Sequence, residues 1–169
     1  MSDPKPDFEA ILKTLASADV EFIIVGGVCA VLHGAPVSTF DLDLVYSRTS
    51  DNLDRLATVL EKLAAFYREK PMISPRASRL NGPGHHLLMT KFGPLDLLGS
   101  VVGGLGYWEL LKETEEVELG GKIRVRILNL PALIRLKEQL GRDRDKAVLP
   151  ILRKTLEECQ RKSHKRDRG

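Results

Sequence analysis

The chain has 169 residues, 43% of them hydrophobic and 29% charged, enough to bury a core without disulfides or a structural metal. No apolar run approaches the roughly 18–20 residues of a membrane-spanning helix. The net charge of +3 is concentrated at one end: Arg161, Lys162, Lys165, Arg166 and Arg168 against Asp167 give the last ten residues +4 and leave the remainder at −1. That distribution excludes a uniformly basic nucleic-acid-binding surface. The polar opening Met1-Ser2-Asp3-Pro4-Lys5-Pro6 is expected to carry no signal peptide. Cys29 and Cys159 make no disulfide framework, so the expected location is cytoplasmic, with no membrane partner.

Phe8, Ile11, Leu12 and Leu15 mark one face of a helix over Asp7–Ala18. Phe22-Ile23-Ile24-Val25 is a short apolar run of buried-strand type, ended by Gly26-Gly27. Val28–Leu32 reads as one or two helical turns stopped by Gly34. Leu42, Leu44 and Tyr46 alternate with Asp41, Asp43 and Val45, which is strand periodicity. An amphipathic helix then runs from about Asp51 to Phe66. Arg68–Gly84, with three prolines, two glycines and four basic residues, is expected to be a long functional or mobile loop.

His86–Phe92 and Leu95–Val101 read as strands of a hairpin turning at Gly93-Pro94. Tyr107–Lys112 reads as a short helix. Glu116–Leu119 and Lys122–Leu128 flank Gly120-Gly121 as a second hairpin. Helices are expected near Pro131–Leu140 and Asp145–Gln160, the last kinked or split at Pro150. The order implies an α/β (α+β) domain with a small mixed sheet and packed helices. Residues 1–128 would form the core, 129–160 a C-terminal helical segment packed on it, and 161–169 a basic flexible tail.

The chemistry concentrates in Gly26-Gly27, thirteen residues, then Asp41-Leu42-Asp43. Aspartates at i and i+2 of a strand share a face about 7 Å apart, while Leu42 and Leu44 point into the core. At an effective dielectric near 20 they repel by roughly 2–3 kcal/mol when ionised and unpaired. Strands are poor in aspartate, so the arrangement calls for a cation. Magnesium answers the need, because it takes one or two carboxylates and completes its shell with water and phosphate oxygens. Asp96, between Leu95 and Leu97, is a third acidic residue in an apolar strand. Were the two strands neighbours, three carboxylates would suffice to hold two metals for an in-line phosphoryl displacement. Gly26-Gly27 suits the phosphate end of such a site, where backbone must approach closely.

The segment Phe22–Leu44 resembles the signature of the polymerase-β-type nucleotidyltransferase superfamily: apolar strand, Gly-Gly, short helix, then Asp-x-Asp on the next strand. It is most similar to the small prokaryotic branch of minimal and toxin–antitoxin nucleotidyltransferases. Their late Leu-x-x-Leu-Ile-x-x-Lys run, followed by Gly-Arg and a basic-Asp pair, is similar to Leu130–Lys137, Gly141-Arg142 and Arg144-Asp145. The resemblance implies a nucleotidyltransferase-like sheet with a helical C-terminal part. It implies transfer of a nucleoside monophosphate from an NTP to a hydroxyl of RNA, protein or a small molecule, with release of pyrophosphate. Asp41, Asp43 and Asp96 would bind Mg²⁺, two ions between them, and Asp96 would accept the nucleophile's proton.

By the same resemblance Gly26 and Gly27 would contact the triphosphate, Thr39 would support the aspartate strand, and Lys137 would lie near phosphate or acceptor. A cognate toxin or antitoxin is the implied protein partner. Relatives often carry arginine a few residues before the first aspartate, where this chain has Val37. That departure supports one alternative, a nucleotide-binding or toxin–antitoxin partner module on the same fold that does no chemistry. Other features have plainer readings. His85 and His86 are strand neighbours that face opposite ways, Cys29 suits the core, and His33 suits a helix end beside Gly34.

Overall fold

The computed structural model describes residues 4–169, so Met1–Asp3 of the polar opening lie outside the described residues. Helix α1 (Phe8–Ser17) starts at Asp7, whose carboxylate accepts from the Ala10 N–H, and buries Ile11, Leu12 and Leu15. The chain then enters β1 (Phe22–Val25) and turns directly into α2 (Gly26–Leu32). It returns in β2 (Leu42–Tyr46), leaves in α3 (Ser50–Lys62), and adds β3 (Phe66–Tyr67), α4 (Ala77–Leu80), β4 (His85–Thr90) and β5 (Gly93–Leu98). After α5 (Tyr107–Leu111) come β6 (Thr114–Leu119), β7 (Ile123–Leu128), α6 (Leu130–Leu140) and α7 (Asp143–Asp167).

The strands form one mixed sheet in the order β3-β4-β5-β2-β1-β7-β6. Two contacts are parallel, β1 with β7 and β2 with β5; the rest are antiparallel. The central strands are the apolar ones: Ile23, Ile24, Leu42, Leu44, Leu95, Leu97 and Ile127 are wholly buried. This is an α/β fold with a helical C-terminal part. No helix among the described residues is long and apolar enough to cross a membrane.

Several elements differ from the sequence expectation, each for a local reason. Helix α3 stops at Lys62 because Ala64 adopts φ 53° in the left-handed region, and Phe66 therefore lies on a strand. The first hairpin turns at Lys91-Phe92, two residues before Gly93-Pro94, since Gly93 already pairs with Thr90. Helix α2 begins at Gly26 rather than Val28.

The 68–84 segment is pinned rather than loose at its far end. Leu80 of α4 is buried, its carbonyl accepts from the Tyr46 hydroxyl at 2.6 Å, and the Pro83 carbonyl accepts from Ser100 at 2.8 Å. Helix α7 runs unsplit through Pro150 and on to Asp167, so the basic end is helical.

One buried polar side chain joins the two strands that meet the site. Asn52, at the start of α3 and fully buried, accepts from the Glu21 N–H at 2.7 Å. Its amide donates to the carbonyls of Glu21 at 3.1 Å and Ser47 at 2.7 Å. The residue before β1 and the residue after β2 are thus clipped together through three bonds, which give the Glu21 N–H and the Ser47 carbonyl their partners and add to the Ser47 N–H bond to the Glu21 carbonyl at 3.2 Å. Replacing Asn52 with alanine should destabilise the protein by about 2–4 kcal/mol in urea titration, because it strands those groups in the interior.

Candidate active site

Sheet register brings the acidic residues together. In the parallel pairing of β2 with β5, Asp43 stands opposite Asp96, and in the antiparallel pairing with β1 it stands opposite Val25, the last residue before Gly26. Neighbouring strands lie about 4.8 Å apart and opposed residues share a face. The carboxyls of Asp43 and Asp96 therefore lie side by side. Asp41 sits just before β2, its side chain 49% exposed at the rim, whereas Asp96 as a residue is only 9% exposed.

The glycines fit this geometry. Gly26 has φ 70°, and a Cβ there would meet Asp43 Oδ2 at 2.3 Å; a Cβ on Gly27 would meet Thr39 Oγ1 at 2.6 Å. Both positions must lack a side chain for Asp43 and Thr39 to occupy the space above them. The Thr39 hydroxyl donates to the Asp41 carbonyl at 3.0 Å and fixes the backbone that presents the first aspartate.

Two cationic groups flank the carboxylates. On one side Arg68, just beyond β3, donates its backbone N–H to the Leu87 carbonyl at 3.1 Å. Its guanidinium donates to the Leu88 carbonyl at 3.2 Å and to Asp96 Oδ1 at 2.8 Å, and reaches Asp41 Oδ1 at 4.0 Å. On the other side Lys137 of α6 is held by Asp145 Oδ1 at 3.2 Å, and Arg142 donates from Nε to Asp145 Oδ2 at 2.6 Å. Asp145 is completely buried at the first turn of α7 and also accepts from the Arg142 backbone N–H, so one carboxylate orients two cations and caps a helix.

The acidity of these groups follows from their surroundings. Burial, then the neighbouring Asp96 and Asp41 charges, push Asp43 up to about 7, with Lys137 offsetting part of the rise. Asp96 is also raised, by burial above all, against the restraining charge and hydrogen bond of Arg68. Burial alone would lift Asp145 as well, but hydrogen bonds from Arg142 and Lys137 outweigh it and hold the carboxyl at about 2. Two paired carboxyls that resist ionising together are a donor set short of positive charge.

Hard carboxylate oxygens are the ligands that magnesium selects, so the residues present fit that ion chemically. As the side chains stand, no three carboxylate, imidazole or thiol groups among the described residues close round a single ion. The cation between Asp96 and Asp41 is the guanidinium of Arg68.

Of the residues singled out by sequence, Asp41, Asp43, Asp96, Gly26, Gly27 and Thr39 converge at this edge of the sheet, and Lys137 lies within electrostatic reach of Asp43. The sequence gives Arg68 no site role, and it marks Arg142 and Asp145 only through the similarity of Gly141-Arg142 and Arg144-Asp145. The spacing Arg142-x-x-Asp145 could have signalled a helix-start pair, but nothing local marks Arg68 as a partner of Asp96. Cys29 and His33 serve packing: Cys29 Sγ donates to the Leu128 carbonyl at 3.2 Å, and His33 Nε2 lies 2.8 Å from the same oxygen. Burial pushes the Cys29 thiol up to about 12, far from an activated thiolate.

Comparison of the whole fold adds one finding. A candidate nucleotidyltransferase from Thermotoga maritima superimposes with a TM-score of 0.55 at 18% identity, over 89% of this chain and 91% of that one. The fold is therefore similar to that of a nucleotidyltransferase-like protein. The antibiotic-resistance factor ANT(2″)-Ia also aligns, with a TM-score of 0.49 at 15% identity over 93% of this chain and 95% of that one. No protein-family model matches the chain, and no curated protein matches it significantly.

The acidity pattern sets a pH dependence for the metal-free protein. The unfolded chain releases the Asp43 proton near 3.8, whereas the fold retains it to about 7. The folded state therefore holds the extra proton in that window, and stability falls as pH rises through it. Asp145 acts in the opposite sense, contributing stability above its unfolded value that is lost only as pH falls towards 2. In thermal melts without divalent metal, wild type should lose about 1–3 kcal/mol between pH 5 and pH 8, and Asp43→Asn should flatten that decline.

Proposed function

We propose that the protein transfers a nucleoside monophosphate from an NTP to a hydroxyl acceptor and releases pyrophosphate. The observation that carries this reading is the register pairing of Asp43 with Asp96 beside Asp41, on a nucleotidyltransferase-like sheet. Asp41, Asp43 and Asp96 would hold Mg²⁺, with two ions sharing the three carboxylates. Bound there, Mg²⁺ supplies neutralisation of the triphosphate and of the oxygens that gain charge in the displacement.

The chain's own groups divide the remaining work. Asp96, largely shielded from water and raised above the ordinary carboxylate range, takes the proton of the acceptor hydroxyl. The acceptor oxygen forms its bond to the α-phosphorus as the bond from that phosphorus to the bridging oxygen breaks, and the electron pair leaves on pyrophosphate. Lys137 and Arg142, both anchored by Asp145, supply positive charge for the phosphates. Gly26 and Gly27 leave backbone accessible to the triphosphate beside Asp43.

The acceptor is RNA, a protein side chain or a small molecule, and a cognate toxin or antitoxin partner and a cytoplasmic location belong to the same reading. A non-catalytic module on this fold is the second reading, favoured by Val37 in place of a cation and by the Arg68–Asp96 pair. Incubation with Mg²⁺, each α-labelled NTP in turn, and total cellular RNA and protein separates the two. Wild type should place label in an acceptor and release pyrophosphate, and Asp41→Asn/Asp43→Asn should do neither, a loss of at least about a thousandfold. NTP binding without pyrophosphate release would establish the non-catalytic module.

A further inference from the structure

We infer that Arg68 is the resident counter-ion of the carboxylate site and leaves Asp96 when a divalent cation is taken up. The inference rests on the metal-binding reading of Asp41, Asp43 and Asp96 and adds a residue that reading does not contain. Its basis is geometric. Arg68 Nη2 lies 2.8 Å from Asp96 Oδ1, and Nη1 lies 4.0 Å from Asp41 Oδ1. One guanidinium thus spans two of the three carboxylates that would ligate the ion. The contact is built by the sheet, because the Arg68 backbone pairs with Leu87, the residue opposite Asp96 on the far side of β4.

Arg68, Leu87, Asp96 and Asp43 therefore form a row across four neighbouring segments of the sheet. The Arg68 side chain is 27% exposed, partly sheltered yet open at the site.

A guanidinium and a divalent ion cannot use the same carboxylate lone pairs in the same place, and their charges repel at short range. In the metal-free state Arg68 compensates Asp96 and Asp41, which lets the fold keep three carboxylates at one edge. Uptake of a divalent ion must displace it, so this arginine sets a threshold for metal binding in the absence of nucleotide. Once displaced, Arg68 remains tethered through its backbone bond to Leu87, and its charge stays at the site. Arg68 is thus a positioning residue: it acts through the carboxylates.

The test uses Mn²⁺ alone, titrated into the full chain and followed by electron paramagnetic resonance of the free ion, alongside metal-free thermal melts. Arg68→Gln should bind Mn²⁺ at least about tenfold more tightly than wild type, as removal of a like charge at this distance requires. Its melting temperature without metal should fall, and Mn²⁺ should restore it by more than in wild type. Arg68→Lys, which keeps the charge, should bind Mn²⁺ close to wild type. Mn²⁺ affinity that is unchanged or weaker in Arg68→Gln overturns the inference and leaves the carboxylate reading standing. Absence of Mn²⁺ binding in both wild type and Arg68→Gln overturns the carboxylate reading and this inference with it.

Discussion

Two aspartates in register on adjacent parallel strands are the constraint around which this protein is arranged. Asp43 and Asp96 share a face at a strand spacing of about 4.8 Å, where full ionisation of both is opposed by mutual repulsion and by burial. Several nearby features reduce that cost. Asp43 holds its proton to about 7, Arg68 bonds Asp96, and Lys137 offsets part of the field at Asp43. Gly26 gives up its side chain so that the Asp43 carboxylate has room. A purely structural core would favour apolar residues at both positions, since replacing buried ionic groups by packed hydrocarbon is often neutral or stabilising. Retention of the acidic pair, with so much compensation nearby, is the feature on which the proposed cation site rests.

The cations are held by separate devices on the two flanks. Arg68 is placed by strand pairing, through its own N–H on the Leu87 carbonyl. Lys137 and Arg142 are placed by Asp145, a buried carboxylate whose low pKa reflects hydrogen bonds from both. The difference matters for function. A guanidinium bonded directly to Asp96 competes for the carboxylate, whereas cations bonded to a different carboxylate stay available to an anionic substrate. Positive charge on one flank is thus fixed by Asp145, and on the other it is bonded directly to Asp96.

Much of this was legible in the sequence. The apolar run Phe22–Val25, the glycine pair, and the alternation around Asp41 and Asp43 gave the strand–helix–strand unit, because burial and period-two patterning are local signals. Asp96 stood out for the same reason, as a charge inside an apolar strand. What local pattern could not supply was pairing between distant segments. Arg68 looked like one of several basic residues in a proline-rich loop, and only the β3–β4–β5 pairing shows that it reaches Asp96. Asp145 is marked in the sequence by its place in the Arg144-Asp145 pair, but its burial and its bond to Lys137 depend on the packing of α7 against α6. Gly93-Pro94 and the charge density of the last residues are strong local signals, yet hydrogen-bond register sets the turn at Lys91-Phe92 and helix continuity carries α7 to Asp167.

Joint binding of divalent metal and triphosphate by Asp41, Asp43 and Asp96 is the step on which the proposed transfer depends. Anomalous X-ray scattering from crystals grown with Mn²⁺ and a non-hydrolysable NTP analogue tests it most directly. The account predicts Mn²⁺ peaks ligated by all three carboxylates, phosphate oxygens completing the coordination, and the Arg68 guanidinium no longer bonded to Asp96. Mn²⁺ bound elsewhere, with Arg68 still bridging Asp96 and Asp41, would contradict it.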